Sequence, residues 1–373
     1  MRTLTAFGAG AAIGRAQLAA AAPGGSPANP ATPGDSPTAG QTNSPRDGNA
    51  AAGTIPKRPL GRTGVNLAAL GLGGHHLGDA KTIDDAIRLV HEAIAGGIEF
   101  FDNCWEYWNG KSENWLGRAL VGRRKEVFLM TKVCTHGRSA ALAMEMLEQS
   151  LVRLGTDHLD LWQVHGVGFD NDPELAYAKG GVIEALDMAK QQGKTRFVGF
   201  TGHKDPEVHL KMIQLGYPFD TVQMPLNPFD ATFRSFEQII LPEANRRGIA
   251  VLGMKSMGGT AWAVKRGVVT PQEMLRYAIS LPVALTISGM ESLDVLRQNL
   301  QVAQNFQPMT ADEMQSLRKR CAATAADGRF EPYKVGLIFD NPLARLPHSF
   351  PIDKQQKEVK QMLQKGTGTW TTD

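Results

Sequence analysis

Short apolar runs alternate along most of this chain with longer stretches in which apolar residues recur every three or four positions. The short runs predict β-strands, and the longer stretches predict amphipathic helices. The predicted strands are Leu67–Gly73, Ile98–Asp102, Val127–Lys132, Leu159–His165, Arg196–Phe200, Thr221–Met224, Ala250–Met254 and Ala284–Ser288. Strands that alternate with helices favour a parallel sheet, and eight such repeats close a barrel. The pattern therefore predicts the α/β class and a (β/α)8 TIM barrel.

The predicted helices lie between these strands, and further segments flank the barrel. Helical spacing covers Asp84–Ala95, Ser139–Leu154, Glu174–Gln191, Pro206–Leu215, Phe233–Arg246, Pro271–Ser280 and Leu293–Asn305. Ahead of the first strand, Arg58–Val65 contains a turn signal between short extended pieces. We expect an N-terminal β-hairpin that plugs the barrel bottom, a barrel domain over residues 54–308 and a tail over residues 309–373. The tail starts helically, becomes polar and is expected to lie over the barrel.

The first 53 residues differ in composition from the rest of the chain. They are rich in Ala, Gly, Pro, Ser and Thr, and such a segment cannot bury enough apolar surface to offset its ordering entropy. Between Arg2 and Ala22, an apolar stretch followed by small residues is similar to an export signal, although Arg15 interrupts it. A twin-arginine signal whose start lies upstream would explain both Arg2, as its remnant, and the Gly/Ala character of the stretch. The alternative, which we prefer, is an inert low-complexity extension of a cytoplasmic protein.

Composition and charge exclude several classes of partner. The chain is 42% hydrophobic and 21% charged, which is ordinary for a globular protein. A net charge of +3 is too small to indicate binding to nucleic acid or to a membrane surface. The cysteines, Cys104, Cys134 and Cys321, are too far apart in sequence for a zinc pattern or a disulfide framework. We therefore expect a small-molecule substrate and no resident metal, with the oligomeric state open.

Chemically useful side chains end three successive predicted strands. Asp102, Lys132 and His165 stand at the strand ends, and Tyr107 follows Asp102 by five positions. In a closed parallel barrel the carboxyl ends of the strands face the active-site mouth. An acid, a phenol, an amine and an imidazole are therefore expected in one place. Together they suit protonation of a carbonyl oxygen during hydride transfer.

Four segments carry a resemblance to the aldo-keto reductases that extends over about Lys57 to Asn305. They are Phe101-Asp102-Asn103-Cys104-Trp105-Glu106-Tyr107, Lys111-Ser112-Glu113-Asn114-Trp115-Leu116-Gly117-Arg118-Ala119-Leu120, Thr131-Lys132-Val133 and Gln163-Val164-His165. The resemblance implies an NAD(P)H-dependent enzyme that reduces an aldehyde or ketone to an alcohol. It also implies a substrate that is a small carbonyl compound.

The four strand-end residues have distinct expected roles. Tyr107 suits the proton donor if its pKa falls from the reference value of about 10. Lys132 would stabilise the phenolate, and Asp102 would hold Lys132 in place and keep it charged. His165 would orient the carbonyl oxygen or share in proton transfer. The structural alternatives are an ordinary ion pair, a rim tyrosine and a core histidine.

The resemblance also implies a cofactor site. The implied residues are Thr201, Gln223, Met254, Lys255, Ser288, Gly289, Met290, Gln298 and Asn299. Gln223 stands where the family binds the nicotinamide carboxamide, but Gly202 replaces an asparagine beside Thr201. Met254 stands where an aromatic ring often stacks on nicotinamide, with strand-end packing as its alternative role. Lys255 would reach the pyrophosphate.

The residues after the last predicted strand, Ala284–Ser288, bear on the preference between NADP(H) and NAD(H). Gly289 and Val295 replace the cations with which the family holds the 2′-phosphate, while Glu291 and Asp294 add negative charge. Arg297 could restore a contact if it turns inward. The resemblance implies NADP(H), and the local charges favour NAD(H) as the alternative.

The substrate pocket is predicted to involve Trp105, Trp108 and His203, unless the aromatic residues only pack at the rim. The tail after Cys321 is a candidate lid. One competing hypothesis is a cofactor-sensing regulatory subunit on the same fold. Another is a metal-dependent hydrolase that uses His75, His76 and His165. Against the second, no carboxylate is expected beside the histidine pair, whose side chains would point apart on a strand.

Overall fold

A computed structural model describes residues 53–133 and 139–336 of this 373-residue chain. The predicted low-complexity or export segment therefore lies outside the described residues, except for Gly53. Cys134 and the tail beyond Gly336 lie outside them as well.

The described part is built around a closed barrel of eight parallel strands. The strands are β1 Lys57–Pro59, β2 Asn66–Ala68, β3 Leu70–Gly73, β4 Phe100–Asp102, β5 Phe128–Val133, β6 Leu159–Val164, β7 Thr195–Thr201, β8 Thr221–Pro225, β9 Ala250–Met254 and β10 Leu285–Gly289. From β3 to β10 each strand pairs with its neighbours in the sequence, and β10 returns to pair with β3. This confirms the predicted (β/α)8 barrel, whose carboxyl strand ends all open on one face.

The first two strands form the predicted hairpin. β1 and β2 pair antiparallel, with Lys57 opposite Ala68. Leu60 and Leu67 are buried and belong to the apolar cluster that includes Phe100 and Phe128 inside the barrel. The hairpin thus closes the amino end of the barrel. The predicted first strand, Leu67–Gly73, is wrong at its start, because Leu67 and Ala68 pair with β1 before the barrel strand begins.

The helices surround the barrel and agree with the sequence pattern within three residues at most boundaries. They are α1 Gly74–Leu77, α2 Ile83–Ala95, α3 Lys111–Ala119, α4 Ala140–Leu154, α5 Asp172–Tyr177, α6 Val182–Gln191, α7 Pro206–Gln214, α8 Phe236–Arg246, α9 Trp262–Lys265, α10 Pro271–Ser280, α11 Leu293–Gln304, α12 Ala311–Ala325 and α13 Pro332–Val335. Among the described residues, no helix combines the length and the apolar character that a membrane crossing needs.

The predicted single helix Glu174–Gln191 is wrong, since two helices, α5 and α6, occupy that stretch. Gly180 between them has a φ of 73°, in the left-handed region that favours glycine. A Cβ on Gly181 would lie 2.5 Å from the carbonyl oxygen of Ala176. The glycine pair therefore makes a tight turn that the apolar periodicity alone did not reveal.

Helix α2 illustrates how the outer layer packs. The Thr82 side chain caps its start by accepting a hydrogen bond from the Asp85 amide at 3.1 Å. The buried face consists of Ala86, Leu89, Val90 and Ala93. This spacing of three or four residues places one stripe of the helix against the barrel. Full burial of one leucine or valine side chain contributes about 1.5–3 kcal/mol.

The C-terminal segment returns to the carboxyl end of the barrel. After α12, the chain passes the loop that follows β9, where a Cβ on Gly258 would lie 2.6 Å from the carbonyl oxygen of Phe330. The ring of Tyr333 lies beside Gly259. Over its described part the tail therefore lies at the barrel mouth, as the sequence predicted. The polar tail residues Glu331 and Lys334 are buried there, which the sequence pattern did not indicate.

Candidate active site

Two charged side chains are buried at the carboxyl ends of β4 and β5. Asp102 is 4% exposed and Lys132 is 1% exposed, and their side chains form an ion pair. Lys132 Nζ also donates to the carbonyl oxygen of Asn103 at 2.8 Å. Burial raises the pKa of Asp102, and the charge of Lys132 opposes that rise. Each of the two charged side chains therefore stabilises the other, because an unpaired charge at this depth would be strongly destabilising.

Tyr107 begins a short 3₁₀ turn after β4 and faces this ion pair. Lys132 Nζ lies 3.4 Å from the phenolic oxygen of Tyr107. Burial raises the pKa of Tyr107 well above its ordinary value of 10, and the charges of Asp102, Cys104 and Glu106 act in the same direction. The condition stated from the sequence, that the pKa of Tyr107 falls, is not met in this structure. The main physical reason is burial, and the negative charge of Asp102 is the next largest contribution.

His165 follows β6 and completes the group. Its ring centroid lies 6.0 Å from that of Tyr107, with the two rings nearly perpendicular at 85°. Its Nδ1 lies 2.9 Å from Glu106 Oε1 and 3.2 Å from Cys104 Sγ. The four side chains predicted from the strand ends thus lie together at one face of the barrel. Glu106 and Cys104 were not predicted as partners of His165, although they stand in the same quoted segment as Tyr107.

Two further aromatic side chains flank Tyr107. The His75 ring centroid lies 5.2 Å from the Tyr107 ring. Trp108 is 46% exposed, and its indole nitrogen donates to the His75 carbonyl oxygen at 3.0 Å. The φ of Trp108 is 54°, a strained value for a bulky residue. Gly78 makes room for the indole, since a Cβ there would lie 2.1 Å from Trp108 Cδ1. The sequence analysis did not predict His75 as a neighbour of Tyr107.

The two adjacent histidines lie on a helix rather than on a strand. His75 and His76 belong to α1, and their ring centroids lie 5.5 Å apart. Asp79 Oδ2 lies 3.8 Å from His75 Nδ1. The expectations of diverging side chains and of a missing carboxylate are therefore both wrong. The cause is the helical backbone, which brings residue i+4 back beside residue i.

The other predicted pocket residues occupy different surroundings. The Trp105 indole nitrogen donates to Gln149 Oε1 at 2.8 Å, and Arg153 lies over its ring at 5.1 Å. Both partners are on α4, so Trp105 packs towards the outer helices. The His203 ring lies 5.9 Å from that of Tyr333, edge to face. Burial lowers the pKa of His203 well below its ordinary value, and the charge of Lys255 adds to the effect.

Polar side chains at the ends of β7, β8 and β9 form one wall of the mouth. Gln223 is 1% exposed, and its Nε2 donates to Met254 Sδ at 3.5 Å. Its Oε1 is buried and has no hydrogen-bond partner among the described residues. A buried acceptor without a donor is costly, so this oxygen suits an amide NH2 group from a ligand. Thr201 is buried at the end of β7.

The position beside Thr201 leaves no room for the family asparagine. A Cβ on Gly202 would lie 1.9 Å from the carbonyl oxygen of Val167 and 2.5 Å from His209 Cε1. Backbone atoms cannot retreat as a flexible side chain can. The glycine is therefore a packing requirement of this chain, and the amide that it lacks cannot be regained by substitution.

Lys255 follows β9 in a left-handed conformation, with a φ of 53°. Its Nζ lies 5.2 Å from the centre of the Tyr333 ring. Burial lowers the pKa of Lys255 to about 8, with the charge of Lys132 acting in the same direction. Lys255 thus titrates near physiological pH at the barrel mouth.

The loop after β10 and helix α11 form the remaining predicted cofactor positions. Asn299 Nδ2 donates to Ser288 Oγ at 3.1 Å, and both residues are buried. A Cβ on Gly289 would lie 2.1 Å from His76 Nδ1, so the histidine ring occupies the space of a residue-289 side chain. Met290 is buried, and Gln298 is partly exposed.

Arg297 does not turn towards this loop. Its Nε lies 2.5 Å and its Nη2 lies 3.0 Å from the two carboxylate oxygens of Glu92 on α2. This two-pronged contact holds the guanidinium on the outer surface.

Comparison with known proteins defines the class of this barrel. Residues 69–266 match the sequence profile described as "Aldo/keto reductase family". This chain belongs to the aldo/keto reductase family. It is therefore an oxidoreductase, in agreement with the resemblance seen in the sequence.

Similar proteins share nearly the whole barrel. An uncharacterized oxidoreductase of Bacillus subtilis, YqkF, is 26% identical over 304 residues, which cover 70% of this chain and 95% of that protein. The holo form of the aldo-keto reductase AKR11C1 from Bacillus halodurans has a TM-score of 0.61 and 26% identity, covering 71% of this chain and 96% of the other. An aldo/keto reductase from Klebsiella pneumoniae in complex with NADP and acetate has a TM-score of 0.60 and 22% identity. The match covers 72% of this chain and 96% of the other.

Proposed function

We propose that this aldo/keto reductase reduces a small aldehyde or ketone to an alcohol, with NADP(H) as the hydride donor and Tyr107 as the proton donor. The observation that carries the proposal is the partly buried Tyr107 side chain, whose phenolic oxygen lies 3.4 Å from Lys132 Nζ with the His165 ring beside it.

The proposed mechanism assigns one task to each side chain. A carbonyl that accepts hydride develops negative charge on oxygen, and a positioned acid lowers that barrier. The raised pKa keeps the Tyr107 phenol protonated at neutral pH, which is the form that reduction requires. Lys132 stabilises the phenolate left after proton transfer, and Asp102 holds Lys132 in place. His165 orients the carbonyl oxygen by hydrogen bonding.

The residues present fit a nicotinamide cofactor. When bound, NADP(H) supplies the hydride. Gln223 Oε1, which has no partner among the described residues, would accept a hydrogen bond from the carboxamide. Thr201 and Met254 flank that position, and Lys255 would contact the pyrophosphate. Ser288, Gly289, Met290, Gln298 and Asn299 would form the adenosine side.

The proposed substrate pocket differs from the one expected from sequence. Trp108 and His203 remain in it, and His75 joins them because its ring packs against Tyr107. Trp105 is left out, since its polar contacts are with α4. The described tail contributes Tyr333, next to His203.

Cofactor affinity should depend on pH through Lys255. Its amine is protonated below its pKa of about 8 and becomes neutral above it. A charge-assisted contact to phosphate contributes about 1.5–3 kcal/mol, so we expect the Kd for NADPH to rise roughly tenfold between about pH 7 and pH 9.5. Fluorescence titration at several pH values measures the Kd for NADPH. Lys255→Arg, which stays charged, should flatten the curve, and an unchanged slope in that variant would contradict the assignment.

Discrimination between NADPH and NADH should be weak, below about tenfold or 1.4 kcal/mol. Gly289 and Val295 provide no cation, and Arg297 is engaged by Glu92. Dissociation constants for both cofactors test this in the wild type and in Arg297→Ala. We expect Arg297→Ala to leave their ratio unchanged. A hundredfold preference that this variant removes would make Arg297 the phosphate anchor instead.

The proposed function is tested by mixing the purified protein with NADPH and a panel of simple aldehydes and ketones while nicotinamide absorbance is followed. We expect steady oxidation of NADPH that depends on the carbonyl compound. Tight NADPH binding without turnover on any member of the panel would favour the regulatory-subunit hypothesis.

A further inference from the structure

Three potential metal ligands of different chemistry meet beside Tyr107. They are Cys104 Sγ, Glu106 Oε1 and His165 Nδ1, and their ligand atoms all lie within 4.8 Å of one another. Cys104 is completely buried, whereas the side chains of His165 and Glu106 are 15% and 24% exposed. The set therefore has its thiol on the inside and is open to solvent on the side of the imidazole and the carboxylate.

We propose that Cys104, Glu106 and His165 form a binding site for a thiophilic divalent cation, Zn²⁺ in particular, and that the bound ion blocks the enzyme. Zn²⁺ accepts thiolate, imidazole and carboxylate ligands in tetrahedral sites. Three protein ligands leave a fourth position for water. The clustering of one sulfur, one nitrogen and one oxygen donor at a single point is the observation on which the proposal stands.

The distances between the ligand atoms agree with such a site. Tetrahedral coordination, with Zn–S of about 2.3 Å and Zn–N or Zn–O of about 2.0–2.1 Å, places sulfur and nitrogen about 3.5 Å apart and nitrogen and oxygen about 3.3 Å apart. The observed separations are 3.2 Å from His165 Nδ1 to Cys104 Sγ and 2.9 Å to Glu106 Oε1. Both separations lie within about 0.4 Å of the tetrahedral values, and the third, between Cys104 and Glu106, is within 4.8 Å.

The inhibitory part of the proposal rests on the proposed function, whereas the metal site itself does not. On binding, the Cys104 thiol releases its proton to solvent, and the imidazole nitrogen becomes a metal ligand. His165 is then fixed by the ion, 6.0 Å in ring-centroid distance from Tyr107. Turnover should stop while the cofactor still binds.

A second cluster competes for the same ions, and the test has to separate the two. His75, His76 and Asp79 also lie within mutual reach of a metal, but His75 and Asp79 are exposed and the cluster contains no thiol. Cys321 belongs to no cluster of potential metal ligands among the described residues. Among the thiols of the described residues, a thiolate-specific signal therefore points to Cys104, and Cys134, which lies outside them, is excluded by its own substitution.

The experiment uses Cd²⁺ as a spectroscopic probe of the full-length, reduced, metal-free protein. Cd²⁺ bound to thiolate gives an ultraviolet charge-transfer band, which we expect to saturate at one ion per chain. Cys104→Ser should abolish the band. Glu106→Gln should weaken Cd²⁺ binding at least about tenfold, the size that loss of even an outer-shell partner produces. The controls Cys134→Ser, Cys321→Ser and Asp79→Asn should leave the band and the affinity unchanged.

Several outcomes would overturn the site. They are a band that persists in Cys104→Ser, an affinity that is insensitive to Glu106→Gln, or a band that one of the three controls removes. If Cys104→Ser does not fold, Glu106→Gln decides alone. Zn²⁺ should also inhibit NADPH-dependent turnover reversibly, with a chelator restoring it. A Cys104-dependent band in a protein without turnover refutes the proposed function only, whereas turnover without such a band refutes the metal site only.

Discussion

Replacing Tyr107 with phenylalanine is expected to lower carbonyl reduction by about 10²–10⁴-fold, the usual contribution of a general acid. The variant keeps the ring that packs against His75 and His165 and removes only the hydroxyl group that Lys132 faces. NADPH affinity should be nearly unchanged, because the phenol is not among the proposed cofactor contacts. Turnover at saturating NADPH and a separate binding titration distinguish these effects.

A matched control exists elsewhere on the barrel. The Tyr177 hydroxyl donates to the Met212 carbonyl oxygen at 2.9 Å, in a contact between two outer helices. Tyr177→Phe removes a hydroxyl group of the same kind away from the barrel mouth and should retain turnover. Normal turnover in Tyr107→Phe would exclude Tyr107 as the proton donor.

Replacing Lys334 with methionine should destabilise the protein by about 3–5 kcal/mol, the usual cost of removing one partner from a buried ion pair. Lys334 lies in the described part of the tail and forms a buried charge cluster with Asp230 and Glu331. Lys334 Nζ lies 2.6 Å from Asp230 Oδ1, 2.9 Å from Glu331 Oε2 and 2.7 Å from the Phe233 carbonyl oxygen. Burial raises the pKa of both Asp230 and Glu331, and Lys334 opposes the rise. Lys334→Met leaves this negative charge without its cation.

Urea unfolding of Lys334→Met against wild type measures the loss. The control is Lys211→Met, which removes a cation from the exposed pair with Glu174 and should cost less than about 1 kcal/mol. Because Tyr333 stands next to Lys334 and packs on Lys255 and His203, substrate KM should rise in the Lys334 variant as well. Equal stability of the two lysine variants would mean that the tail is not anchored by this cluster.

The barrel was predictable from sequence because its two periodicities are local. The apolar runs predict the strands. Their last residues, Asp102, Lys132 and His165, mark the strand ends at which the candidate catalytic side chains lie. A parallel barrel then brings those ends together whatever the loops do. The same reasoning could not separate the hairpin from strand β3, since Leu67–Gly73 is one uninterrupted apolar run.

The parts that were missed depend on contacts between distant residues. The high pKa of Tyr107 follows from burial and from Asp102, neither of which a strand pattern quantifies. The position of His75 depends on whether one turn of helix follows β3. The contact of Tyr333 with Lys255 joins segments that are far apart in the sequence, and the only local hint was the glycine pair Gly258-Gly259, which leaves space for the tail.

The pairing of β3 with β10, which closes the barrel, affects folding during synthesis on the ribosome. β3 pairs with β10 through Leu70 and Thr286, more than two hundred positions apart. At a synthesis rate of about 5–20 residues per second, roughly 10–40 seconds separate the emergence of these strands from the ribosome. During that interval one edge of β3 lacks its final partner, and an open apolar edge is prone to aggregation. The yield of active protein in a cell should therefore respond to elongation rate and to holdase chaperones more than its equilibrium stability suggests.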